Sequence, residues 1–171
     1  FGIPHDQALL INCNEIPLAH EKHWRDVFPD RTIDLTLRFR DPKTELEKQQ
    51  QDSIYFIDQW CTEYEEKICN MGGIGFFLGG IGPDGHIAFN VRGSDHNSTT
   101  RLMETNFETQ AAAATDLGGI EISKNRLVIT IGLGTITFNE TATAIILAAG
   151  EAKASIVKDS LENPPDVKYP A

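Results

Sequence analysis

Positive charge is in short supply in this sequence: 15 Lys and Arg stand against 25 Asp and Glu, a formal net charge of -10. A surface that wraps nucleic acid or lies on an anionic membrane needs clustered Lys and Arg, so the expected partners include neither. One small phosphate is not excluded, because a nest of backbone N–H groups and a single Lys can hold it. Cysteine is also scarce. Cys13, Cys61 and Cys69 are odd in number and lack metal-type spacing, which leads us to expect reduced thiols in a cytoplasmic protein. His20, His23 and His96 have no neighbours at ligand spacing, and no metal site is expected. No apolar run approaches the roughly 20 residues of a membrane helix. Repeats and low-complexity tracts are missing as well.

What is there is an ordinary globular composition, 40% apolar and 23% charged over 171 residues, suited to one domain spanning 1–171. The chain opens on Phe1-Gly2-Ile3-Pro4 without Met and stops at Tyr169-Pro170-Ala171 without a closing strand, as expected of a segment of a longer protein. Residues 8–13 (ALLINC) form a short apolar run that predicts a buried strand ending at Asn14 and Glu15. A short helix is expected near 19–27, before the breakers Pro29 and Pro42. From Lys43 to Asn70, Ile54, Ile57, Trp60, Cys61, Tyr64 and Ile68 recur at spacings of three and four, one apolar stripe of a long helix stopped by Gly72-Gly73. On that helix Glu63, Glu65 and Glu66 read as a solvated face. Strands are expected at 74–78, 127–131 and 143–149. Helical turns are expected at 111–115, before Gly118-Gly119, and at 135–139, with a helix at 151–161. Strands alternating with helices predict an α/β fold: a three-layer, doubly wound, mainly parallel, Rossmann-like sheet.

Ligands of such folds bind at the carboxyl ends of the strands. Four loops fall there: Asn14-Glu15, Gly79–Asn90, Gly132–Thr135, and Gly150 leading to Lys153. The second loop, GGIGPDGHIAFN, carries an acid and a histidine two residues apart among glycines. Asp84 can orient and charge His86, as proton transfer near neutrality requires, and Gly80, Gly82 and Gly85 let backbone approach a ligand. The same residues also read as a Pro-Asp-Gly turn with an incidental histidine. Lys153 reads either as a phosphate clamp at a helix N-terminus or as a solvated surface lysine. Glu15 after Asn14 reads as a strand-end acid of the site or as turn chemistry before Pro17.

Residues 76–90 (FFLGGIGPDGHIAFN) resemble the signature of the glucosamine-6-phosphate deaminase/isomerase family, a strand followed by GG-x-G-x-DGH-x-AFN. The resemblance continues in order through 98–101 (STTR), 129–135 (ITIGLGT) and 150–154 (GEAKA), and 11–15 (INCNE) stands where the family usually reads FNMDE. It covers roughly residues 8 to 162 and extends to a superfamily that includes 6-phosphogluconolactonases. It implies a deaminase-like protein of amino-sugar metabolism that needs no metal or organic cofactor, binds a sugar phosphate and forms homo-oligomers in some members. It further implies that His86, held by Asp84, opens the sugar ring. A carboxylate of the 11–15 segment then moves a proton between two sugar carbons, with Lys153 on the phosphate. At the proton-abstracting position this chain carries Asn14, an amide, with Glu15 beside it as a substitute base. Val91 stands where the family places a Glu that supports the histidine, and Gln110 stands near its phosphate-binding Arg. The resemblance therefore implies two alternatives to catalysis of the family reaction. One is a non-catalytic sugar-phosphate-binding or regulatory domain. The other is a lactonase-like hydrolase, which needs an activated water but no carbon-acid base.

Overall fold

The computed structural model describes residues 2–117, 119 and 127–170. Phe1, Gly118 and Ala171, which figure in the sequence reading, lie outside the described residues. The regular elements in chain order are helices α1 (Trp24–Val27) and α2 (Glu45–Asn70), strands β1 (Phe76–Gly80) and β2 (Arg101–Glu104), helix α3 (Phe107–Leu117), strand β3 (Leu127–Thr130), helix α4 (Leu133–Thr137), strand β4 (Thr143–Leu147) and helix α5 (Ala154–Glu162). Short 3-10 turns at His5–Gln7, Ala19–Glu21, Leu35–Arg38 and Glu151–Lys153 complete the described frame.

Helix α2 forms as its stripe predicts. Thr44 caps its N-terminus, accepting the Glu47 N–H at 3.1 Å, and Gly72 and Gly73, both at positive φ, turn the chain out of its last turn. Ile54, Ile57, Cys61, Tyr64 and Ile68 are buried along one face. Ile57 and Cys61 meet Leu102 of β2, and Ile16, Leu18, Leu35, Trp60, Leu127 and Ile129 close around them as the central core. Burial there pushes the Cys61 thiol up to about 11, so it stays protonated and serves as a small apolar filler.

The α/β class stands, and the sheet within it is finer-grained than the sequence suggests. β1 pairs in parallel with β4, Phe76 opposite Thr143 and Gly80 opposite Leu147, joined by a crossover that carries β2, α3, β3 and α4. β2 and β3 pair antiparallel, Arg101 opposite Thr130 and Glu104 opposite Leu127. Helix α2 backs the antiparallel pair. Among the described residues the parallel pair stays largely in solvent, with Phe76 59% and Leu147 61% exposed, while Phe77 and Gly79 are half-buried. The run 8–13 is not a strand. Leu9 and Leu10 are exposed, no strand among the described residues lies beside the run to satisfy its backbone groups, and Asn12 instead starts a turn through Glu15.

Arg40 ties the entry of α2 to the preceding loop, with its guanidinium 2.8 Å from both the Asp34 and the Glu47 carboxylates. Hydrogen bonds from Thr36 and Arg40 lower Asp34 to about 2, and those from Arg40 and the Lys43 N–H lower Glu47 to about 2. Carboxylates lowered in the folded state stabilise it fully above their ordinary range, and that stability is lost as pH falls through their folded values. Urea midpoints should therefore drop as pH falls from about 4.5 toward 2, and Arg40→Met should shrink that drop while changing the neutral midpoint less. In the core, Leu102→Ala should lower the unfolding free energy by about 2–5 kcal/mol in the same measurement.

Candidate functional site

The cleft of interest opens where β1 and β4 end side by side. Leaving Gly80, the chain makes single bridges from Ile81 to Ile87 and from Ile87 to Asn90, while the Gly82 N–H donates to the His86 carbonyl at 2.8 Å. Gly85 takes φ +88°, the left-handed turn for which glycine is suited. A side chain at Gly82 would intrude on the His86 ring, so glycine there is what lets the imidazole lie over the loop.

Asp84 is 3% exposed, and its carboxylate is surrounded by donors. Oδ1 faces His86 Nδ1 at 2.5 Å; Oδ2 accepts from Asn106 Nδ2 at 2.5 Å and from the Arg92 backbone N–H at 3.3 Å. Burial works to raise this carboxyl, but the bonds from His86, Asn106 and Arg92 outweigh it and hold Asp84 well below the usual carboxylate range. Asp84 therefore remains an anion, fixing the Nδ1–H tautomer of His86 and leaving Nε2 for a ligand. The ring stacks on Phe89 with centroids 6.1 Å apart, and Thr109 Oγ1 lies 3.2 Å from Nδ1. Lys153, at the end of the 3-10 turn after Gly150, extends its ammonium to the Ile81 carbonyl at the end of β1. His86, Phe89, Thr109, Lys153 and the backbone of 79–82 line a cleft of about 540 Å³.

Of the residues expected in the site, the structure brings together Asp84, His86, Gly80, Gly82 and Lys153. Gly85 turns away; a Cβ there would meet Ile156 of α5 at 3.1 Å. Asn14 and Glu15 are not beside His86. Asn12 holds both in a tight turn, donating to Glu15 Oε1 at 2.6 Å and accepting the Asn14 N–H at 3.2 Å. Asn14 lines a separate cavity of about 500 Å³ with Ile57, Leu102 and Ile129, and that cavity shares no lining residue with the His86 cleft. Gly132 and Gly134 serve a chain crossing, since side chains there would strike the backbone of Asn97 and Ser98. Gln110 donates to the Thr105 carbonyl at 2.7 Å. Among the described residues no three His, Cys, Asp or Glu side chains gather as a metal site, and no helix is long and apolar enough to cross a membrane.

Sequence reasoning passed over the residues that hold this loop in place. Asn90 is fully buried. It donates to the Ile87 and Ile131 carbonyls at 3.0 and 2.9 Å and accepts from Arg101 at 2.9 Å, joining the loop to the end of β3 and to β2. Asn106 and Thr109 flank the Asp84–His86 pair; the Asn-x-x-Thr spacing just before a helix is a capping signal that could have drawn attention to them. Glu65 corrects the reading of a solvated acidic face. It is half-buried, and its Oε2 accepts from the Thr100 N–H at 3.1 Å, the Thr100 hydroxyl at 2.7 Å and the Thr135 hydroxyl at 2.8 Å.

No family model matches the chain. Single relatives do. A glucosamine-6-phosphate isomerase of Candida albicans is 38% identical over 115 residues, 67% of this chain and 46% of the relative. Glucosamine-6-phosphate deaminases of Borreliella afzelii and Caenorhabditis elegans are 39% and 41% identical over 106 and 102 residues, covering 62% and 60% of the chain and 39% and 38% of the relatives. A solved structure described as a monomeric glucosamine-6-phosphate deaminase of the NagB superfamily superposes with a TM-score of 0.58 at 28% identity, over 75% of this chain and 48% of that one. The matched stretch belongs to the glucosamine-6-phosphate deaminase/isomerase family. The chain spans less than half the length of these curated relatives.

Within this deaminase-like stretch, Glu65 is the point at which α2 grips the segments entering β2 and α4. Glu65→Ala would leave the donors of Thr100 and Thr135, both buried, without their acceptor. It should cost about 2 kcal/mol or more of unfolding free energy, whereas Glu66→Ala on the exposed face should stay within about 0.5 kcal/mol by chemical denaturation.

Proposed function

We propose that the His86 cleft is the sugar-phosphate site of a glucosamine-6-phosphate deaminase/isomerase-like protein. One observation carries this reading. A carboxylate-held histidine and a lysine meet at the carboxyl ends of two parallel strands, in a cleft of a size that suits a small ligand. His86, with Nδ1–H committed to Asp84, presents Nε2 as a base that can take the proton of the sugar's anomeric hydroxyl and deliver it to the ring oxygen as the ring C–O bond breaks. Phe89 and Phe77 supply apolar surface for the sugar body, and the Lys153 ammonium keeps donors for a phosphate beyond the one it gives Ile81.

The carbon-bound proton needs a base within hydrogen-bond reach. Among the described residues lining the cleft there is no Asp or Glu, and Asn14 lies in the other cavity. That arrangement supports a second reading, in which this site binds a hexose phosphate without turning it over.

Calorimetry and ammonia release on the full-length protein separate the two. Glucosamine 6-phosphate should bind, and Lys153→Ala should raise its Kd by about tenfold or more, the equivalent of ~1.4 kcal/mol. If turnover is present, His86→Ala should abolish it. Binding without turnover supports the second reading. Ammonia release gained only in Asn14→Asp would return residue 14 to the active site. Absence of heat with every hexose phosphate would overturn both readings.

A further inference from the structure

We infer that Asn106 and Thr109 are positioning residues of the Asp84–His86 pair, an inference that rests on reading the cleft as a sugar-phosphate site. The four side chains form a closed ring of contacts. Asp84 Oδ1 takes His86 Nδ1 at 2.5 Å, and Thr109 Oγ1 lies 3.2 Å from the same nitrogen. The Thr109 backbone N–H donates to Asn106 Oδ1 at 3.0 Å, and Asn106 Nδ2 returns to Asp84 Oδ2 at 2.5 Å. One amide thus does two tasks, capping α3 with its oxygen and gripping the buried carboxylate with its nitrogen. Asp84 and Thr109 are both buried, and apart from the Arg92 N–H that also reaches Oδ2, the donors to the Asp84 carboxylate come from within this ring.

The consequence for His86 is geometric. Asp84 alone fixes one ring nitrogen but permits rotation about that bond. Thr109 adds a second contact to Nδ1 from the side of α3, and Phe89 lies against the ring plane. Asn106 in turn stops the carboxylate from rotating away. Nε2 is therefore presented to the cleft in one orientation. Among the described residues the charged groups facing His86 are Asp84, on its own loop, and Lys153, across the cleft.

Asn106→Asp separates positioning from capping. An Asp oxygen caps a helix as well as an Asn oxygen, but it sets a second carboxylate against Asp84. Histidine 15N spectra of the full-length protein, with the His86 signals assigned by their loss in His86→Gln, should show a single Nδ1–H tautomer in the wild type. Asn106→Asp should shift that tautomer ratio. It should also lower kcat by about tenfold or more, part of the roughly 10²–10⁴ that a positioned acid–base group contributes. KM should stay within about twofold, as for an interaction made only in the transition state. Thr109→Val should disturb the tautomer ratio and Thr109→Ser should restore it, a pair that also decides the matter if Asn106→Asp does not fold. Unchanged His86 spectra in both Asn106→Asp and Thr109→Val would overturn the inference and leave these residues as helix caps. If the wild type neither binds nor turns over a hexose phosphate, the functional reading fails, and the spectra still decide the positioning.

Discussion

A carboxylate taken out of water must be given back its hydrogen bonds, and Asp84 is such a carboxylate. Its donors come from three places: His86 two residues on, the Arg92 backbone beyond the loop, and Asn106 at the head of α3. Satisfying one buried anion therefore folds the 79–90 loop back on itself and docks a helix against it. The lowered proton affinity of Asp84 and the fixed ring of His86 are two results of this one requirement.

Asn90 does for the loop's far end what Asp84 does for its middle. Its amide spans the end of β3, the loop's own backbone and Arg101. Burial pushes the Arg101 guanidinium below its ordinary proton affinity, but it has carbonyl and side-chain acceptors to work with. Glu65 adds a third tie from the opposite side. The loop is thus braced by β2, β3 and α3, while the cleft floor belongs to β1, which pairs with β4.

Elements with a strong local signal were legible in the sequence. The stripe of α2, the apolar runs of β1, β3 and β4, and the loop with Asp84 and His86 all stand within a few residues of where periodicity and turn chemistry put them. Residues whose role depends on a distant partner were not. Glu65 lies among other acids in the sequence, and only the arrival of Thr100 and Thr135 makes it an acceptor. The run 8–13 has the composition of a strand, yet a strand exists only beside another, and Asn12 offered the backbone a local turn instead. Asn14, read by analogy as a strand end, stands in that same turn and lines the other cavity. The resemblance rests on a contiguous loop signature, whereas the side chains packed around Asp84 and His86 come from several segments.

The parallel pair β1–β4 has one further implication. Its strands wear Phe76, Leu78, Ile145 and Leu147 against water, while their last residues carry the cleft floor and the turn that delivers Lys153. Any layer laid over that ribbon gains about 25 cal/mol for each Å² of apolar surface it covers. If such a cover bound better with the cleft filled, reciprocity would make the cover raise the cleft's affinity by the same factor.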